Sequence, residues 1–239
     1  MSAERVDITT DDGVADAYLA RPDGEPRGSV LLIMDAYGLR PQIEAMADRI
    51  AEQGYVVLAP NVFYRDVRGE LVTADEIAGG SAFEKVMPLA RRLTRDVIVS
   101  DGPAYLDALG DGPVAVTGYC MGGRAGWHLA AAYPDRVAAL GGFHVGGLVT
   151  DAPDSPHTRA GDIAAEIYFG HADNDRNMNA DQIATLDRAL DDAGVRHRTE
   201  VYEGAAHGYT MADTPAYDEA AAERHYDALF ALLDRTVAA

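Results

Sequence analysis

The chain is almost without lysine: Lys85 stands alone, and arginine supplies the rest of its 20 basic residues. Against these stand 39 acidic residues, giving a formal charge of −19. A charge of that sign repels nucleic acid phosphates and anionic lipid, so neither nucleic acid nor a membrane surface is expected as a partner. Cysteine is equally scarce. With Cys120 alone, an internal disulfide framework and a multi-cysteine zinc site are both excluded. No metal site is expected, and a lone reduced thiol fits a cytoplasmic location. No apolar run approaches the roughly 20 residues that a membrane helix needs. The N-terminal residues lack the basic start and apolar stretch of a secretory signal, so no targeting segment is expected.

What is present is ordinary globular material: 239 residues, 48% of them hydrophobic and 25% charged. Residues 6–9 and 14–19 read as two short strands flanking the hairpin signal Asp11-Asp12-Gly13. Residues 29–34 and 55–59 are apolar throughout, as strands covered on both faces are. Between them Pro41 opens a helix whose Ile43, Met46, Ala47, Ile50 and Ala51 fall on one face, and Gly54 closes it. Residues 60–80 show no clear period and read as a surface excursion with a short helix at 73–78. A helical region is expected over 82–109, then a strand at 114–117 and a helix at 124–133. Strands follow at 137–140, 163–169 and 198–202, and helices at 179–193 and 216–236. Strand and helix alternate with short connections, so a mainly parallel sheet with helices on both faces is expected. No repeat or linker divides the chain, and residues 1–239 are read as a single α/β domain.

The strand ending at Thr117 runs into Gly118-Tyr119-Cys120-Met121-Gly122-Gly123, and a helix follows. This is the strand–turn–helix context of G-x-S-x-G with cysteine in place of serine. A nucleophile on so tight a turn needs small neighbours, and the following helix aims its N-terminus at the thiol. The Met121 amide becomes a candidate oxyanion donor. A base is expected late in the chain, in a loop between the last strand and the last helix. Of the seven histidines His207 fits that place, in Gly204-Ala205-Ala206-His207-Gly208. His144 and His171 lie at strand ends and could border the pocket, whereas His157, His197 and His225 read as surface residues. The acid should follow the preceding strand, where Asp173 and Asp175 both qualify. Asp175 is favoured and Asp173 is the alternative.

These residues resemble the dienelactone hydrolase family. The match rests on Met34-Asp35-Ala36-Tyr37-Gly38, Gln53-Gly54-Tyr55, Pro60-Asn61-Val62-Phe63-Tyr64-Arg65, the cysteine elbow, the Asp173–Met178 loop and the His207 segment. The resemblance implies an α/β-hydrolase fold and a cofactor-free hydrolase with a Cys120–His207–Asp175 triad, acting on a small ester or lactone. It implies a role for Asp35, at a position where the family commonly carries a glutamate hydrogen-bonded to the resting thiol. Ala36 falls where the family takes its second oxyanion amide, and Tyr37, Phe143, His144 and Tyr209 become candidate pocket walls. The family's best-studied members hold a substrate carboxylate with arginines, one of them four residues after the histidine; here that residue is Met211. No arginine precedes Pro88 in the helical region, so Lys85 is the nearest cation and an uncharged substrate is expected. The rival readings are a catalytically weak small-molecule binder and a thiol redox sensor. Oligomeric state is not legible in the sequence.

Overall fold

The computed structural model describes residues 1–238. Its eight strands are β1 (Ser2–Thr10), β2 (Gly13–Arg21), β3 (Gly28–Ile33), β4 (Tyr55–Pro60), β5 (Val114–Tyr119), β6 (Val137–Phe143), β7 (Glu166–Ala172) and β8 (His197–Tyr202). They form one sheet in the order β1-β2-β4-β3-β5-β6-β7-β8. β1 and β2 pair antiparallel through the expected hairpin, and β2 pairs antiparallel with β4. Every other pairing is parallel. β4 and β5 are fully buried along their lengths, as their largely apolar sequences require.

The helices are α1 (Pro41–Glu52), α2 (Ala74–Ala78), α3 (Ala82–Arg92), α4 (Arg95–Asp107), α5 (Met121–Ala132), α6 (Ala180–Asp192) and α7 (Glu219–Thr236), with a 3-10 turn at Pro156–Asp162. α1 begins on Pro41 and buries the five apolar residues read from its period. No helix among the described residues is long and apolar enough to cross a membrane.

The chain leaves β3 for β4 on one side, while β5 lies on the other side of β3. Ligands in open parallel sheets bind at such a point of reversal, beyond the carboxyl ends of the strands. Asp35 follows β3 and Cys120 follows β5, so this topology brings both to the same crevice.

Several boundaries differ from the sequence reading. The helical region 82–109 is two helices, because Leu93 departs from helical geometry and the Thr94 hydroxyl caps α4 by accepting from the Val97 amide. α5 starts directly after Cys120, three residues earlier than expected. β7 spans 166–172 rather than 163–169, its register set by the pairing of Glu166 with Ala139. The excursion 60–80 is not wholly superficial: Val62, Phe63, Tyr64, Leu71 and Val72 are buried against the core. His225 is no surface residue either. It lies fully buried on α7, edge-on to Phe143 at 4.6 Å and hydrogen-bonded to the Tyr119 hydroxyl at 3.2 Å.

Candidate active site

Cys120 sits at φ 55°, ψ −118°, a conformation that residues with a side chain avoid, between the end of β5 and the start of α5. The neighbours make the turn possible. A Cβ on Gly118 would stand 2.3 Å from the Gly122 carbonyl oxygen, and one on Gly122 would stand 2.4 Å from the Ile33 oxygen. Helix α5 therefore packs directly on the end of β3, and only glycine allows that approach. The strain holds the thiol up into the cleft, where Cys120 is half-buried. Met121 is the first residue of α5, so its amide has no partner within the helix. Ala36 and Tyr37 line the same cleft from the loop after β3.

His207 and Asp175 meet across two strand-end loops: Nδ1 of His207 lies 2.5 Å from Asp175 Oδ2. Asp175 is buried, and its Oδ1 accepts the Asn177 amide at 2.8 Å. Burial opposes its charge, but the His207 and Asn177 hydrogen bonds prevail and hold its carboxyl below the usual aspartate range. Cys120 and His207 line the same cleft. Burial likewise opposes charge on His207, yet its hydrogen bond to the Asp175 carboxylate and the sulfur of Cys120 outweigh it, and its pKa is pushed up to about 10. The proton thus rests on His207 at neutral pH.

Of the two aspartates, Asp173 does not meet the histidine ring. Its Oδ2 accepts the Gly204 amide at 2.9 Å, and its own amide donates to the Ala205 carbonyl at 2.8 Å. It ties the loop that carries His207 to the loop that carries Asp175.

Asp35 is buried, and its carboxylate is taken up elsewhere. Arg40 donates to both its oxygens, Nη1 to Oδ1 at 2.6 Å and Nη2 to Oδ2 at 3.1 Å, and the Tyr37 amide donates to Oδ1 at 3.0 Å. No hydrogen bond joins Asp35 to Cys120 among the described residues. Arg40, 1% exposed, also grips Asp213 through Nε at 2.6 Å and Nη2 at 3.1 Å. Sequence reading missed this pair. Arg40 belongs to no motif in the sequence, and Asp213 is 173 positions away along the chain.

The cleft has a volume of about 840 Å³. Tyr37 and His144 line it as expected, whereas Phe143 and Tyr209 are buried behind it. α3 supplies the facing wall with Phe83, Val86, Met87, Ala90 and Arg91. The expected cation is corrected here. Lys85 points away and pairs with Glu76, while Arg91 and Arg124 line the cleft and form no ion pair among the described residues. Arg124, one turn into α5, lies against Gly147. Met211 lines the opposite side. The spacing search after the histidine could not find these arginines, because they come from helices that precede it.

Comparison with known proteins agrees with this fold. The family model described as "Dienelactone hydrolase family" matches residues 15–237. A Yersinia pestis protein named "Putative carboxymethylenebutenolidase" is 29% identical over 216 residues, covering 87% of this chain and 78% of its own. A Methylorubrum extorquens protein of the same name is 28% identical over 229 residues, covering 90% and 75%. Among solved structures, a "Putative Dienelactone Hydrolase" from Klebsiella pneumoniae superposes with a TM-score of 0.84 at 21% identity, over 98% of both chains.

Proposed function

The chain belongs to the dienelactone hydrolase family and is a hydrolase of that type, and from that premise we propose that it cleaves a carboxylic ester or lactone through an acyl-cysteine intermediate. Cys120 is the nucleophile, His207 the proton carrier and Asp175 its orienting acid. The Sγ attacks the carbonyl carbon, and the carbonyl oxygen takes the negative charge. The amides of Met121 and Ala36 are the donors proposed for that oxyanion. His207 gives its proton to the departing alkoxide, which in a lactone stays tethered to the acyl group. Water then attacks the thioester, His207 takes up its proton, and the thiolate leaves.

The observation that carries this reading is His207 itself, bonded to a buried carboxylate in the cleft that the chain's single thiol also lines. An imidazolium in that position can hand its proton to a departing alkoxide. A simple binding protein has no need of the 2.5 Å contact between His207 and Asp175, and a redox sensor has no need of the oxyanion amides.

Asp35 has a different part. With Arg40 clamped on both its oxygens, it is a pocket acid rather than a partner of the resting thiol. On substrate charge, Arg91 and Arg124 at the cleft favour an ester or lactone that carries a carboxylate, in place of the neutral substrate expected from Met211. The experiment is a panel of lactones and short-chain esters assayed with native protein and Cys120→Ala. A product burst from activated esters is expected in the native protein alone, and equal turnover by both would overturn the proposal.

A further inference from the structure

His144 is the first residue after β6, and its amide donates to the Gly170 carbonyl at 2.8 Å. It is 1% exposed and adopts φ 40°, one of three positive-φ residues other than glycine among those described. Its Nε2 lies 2.8 Å from the Thr210 hydroxyl, and its Nδ1 has no partner. A strained backbone and an orphaned buried nitrogen are both unfavourable. An apolar side chain would fill this volume without the second cost, so the packing alone does not account for a histidine.

Its surroundings do. The His144 ring stands edge-on to His207, with centroids 5.1 Å apart and planes at 67°. On another side it meets Tyr209 at 5.1 Å and 78°, and Tyr119 lies 6.1 Å away. Thr210 follows His207 by three residues on the same loop, and Tyr209 between them donates its hydroxyl to the Gly170 carbonyl at 3.0 Å. The loop that carries His207 is therefore stitched to the ends of β6 and β7, and the stitch nearest the imidazole is the bond between His144 and Thr210.

We propose that His144 is a positioning residue for His207: a buried imidazole, anchored by Thr210, that fixes the plane of the His207 ring between Asp175 and Cys120. This rests on the reading of His207 as the site's proton carrier. The groups facing His144 are His207 from the loop after β8, His225 from α7, Tyr119 from β5 and Tyr209. Burial first, then the charges of His207 and His225, drive its pKa well below the usual histidine value. His144 thus stays neutral beside a charged neighbour and does not compete for the proton.

The test uses His144→Phe, which keeps a ring but loses the bond, and Thr210→Val, which loses the bond but keeps the imidazole. Two readouts are followed against pH: kcat and KM for 4-nitrophenyl acetate, and the rate of Cys120 alkylation by iodoacetamide, which needs no turnover. A displaced His207 should lower kcat by about 10²-fold with KM changed less than about threefold. Both profiles should show an alkaline limb where His207 loses its proton, expected near pH 10, kcat falling and the alkylation rate changing to that of a sulfur without its imidazolium neighbour; it should move down by about one unit as the Asp175 bond loosens. The double variant should be no worse than the worse single. Native kcat with an unmoved limb in either folded variant would overturn the proposal. So would a kcat loss that follows only the melting temperature. If the native protein alkylates with the expected limb but hydrolyses no ester, the hydrolase reading fails while His144 is still judged by the shift of that limb. If His144→Phe does not fold, Thr210→Val decides alone.

Discussion

The cleft has two unlike sides. Its floor is made of strand-end turns, where Cys120, Asp175, His144 and His207 are held by a strained elbow, buried hydrogen bonds and aromatic edges. Its facing wall is α3, an amphipathic helix whose Phe83 stands 59% exposed at the rim and whose Arg91 has no ion-pair partner among the described residues. The floor is over-determined and the wall is not. Proton transfer and nucleophilic attack tolerate errors of a fraction of an ångström, so the groups that perform them belong on the sheet. Selection among substrates tolerates more, and an adjustable helix can supply it. The account therefore expects changes to the floor to act on turnover and changes to the wall to act on substrate preference.

The sharpest break of that contrast is Asp175→Asn. If this acid works as the orienting carboxylate of a serine triad does, kcat falls by about 10⁴. Asp173→Asn, two residues away, removes a charge but keeps an oxygen that can accept the Gly204 amide, and should cost less than about tenfold. A steady-state comparison of the two decides which aspartate serves His207, and the reverse ranking would move the role to Asp173.

Arg40 is the next largest expectation, and it concerns stability. Arg40→Met leaves the buried Asp35 carboxylate without its cation, a change worth about 3–5 kcal/mol. Urea unfolding measures it. A loss below about 1 kcal/mol would mean that the pair behaves as a surface salt bridge.

Acid should attack the floor and the core behind it. Burial drives His171 down to about 4 and His225 down to about 3. Both folded values lie below the free value, so the unfolded chain binds protons first as pH falls below about 6.5. The stability they contribute is complete above that value and is lost progressively toward pH 4 for His171 and pH 3 for His225, at about 3 and about 5 kcal/mol respectively in the limit. His207 has the opposite sign: its contribution is whole below about pH 6.5 and is lost as pH rises through about 10. A denaturation midpoint that stays flat from pH 7 to 4 would contradict this.

The smallest effect belongs to the two cleft arginines, Arg91 on the wall and Arg124 on α5. A carboxylate-bearing lactone should be preferred over its methyl ester by about tenfold or more in kcat/KM, one charge-assisted contact being worth about 1.5–3 kcal/mol. The double change Arg91→Met, Arg124→Met should bring that ratio near one, while Lys85→Met leaves it alone. Preference for the methyl ester in the native protein would restore the neutral-substrate expectation.

The contrast between floor and wall also explains what the sequence made legible. The elbow, the alternation of strand and helix and the late histidine loop are local patterns, and they led to the sheet, to Cys120 and to His207. Asp175 was separable from Asp173 only in preference, because two carboxylates on one loop differ in where they point. Arg40 was invisible because its partner Asp213 comes from a distant loop. The arginines of the cleft were missed because a helix face has no marker of its own in the chain. His225 was misplaced because a histidine on an amphipathic helix reads as polar, whereas burial beside Phe143 and a tyrosine hydroxyl suits it equally well.

The central claim is that one thiol does the chemistry, and Cys120 is the only cysteine in the chain. Titration with iodoacetamide, with carbamidomethylation of Cys120 read by intact mass and residual esterase activity read in parallel, tests it most directly. Activity is expected to fall in proportion to modified Cys120 and to reach zero when every molecule carries one adduct. Undiminished ester hydrolysis by fully alkylated protein would contradict it.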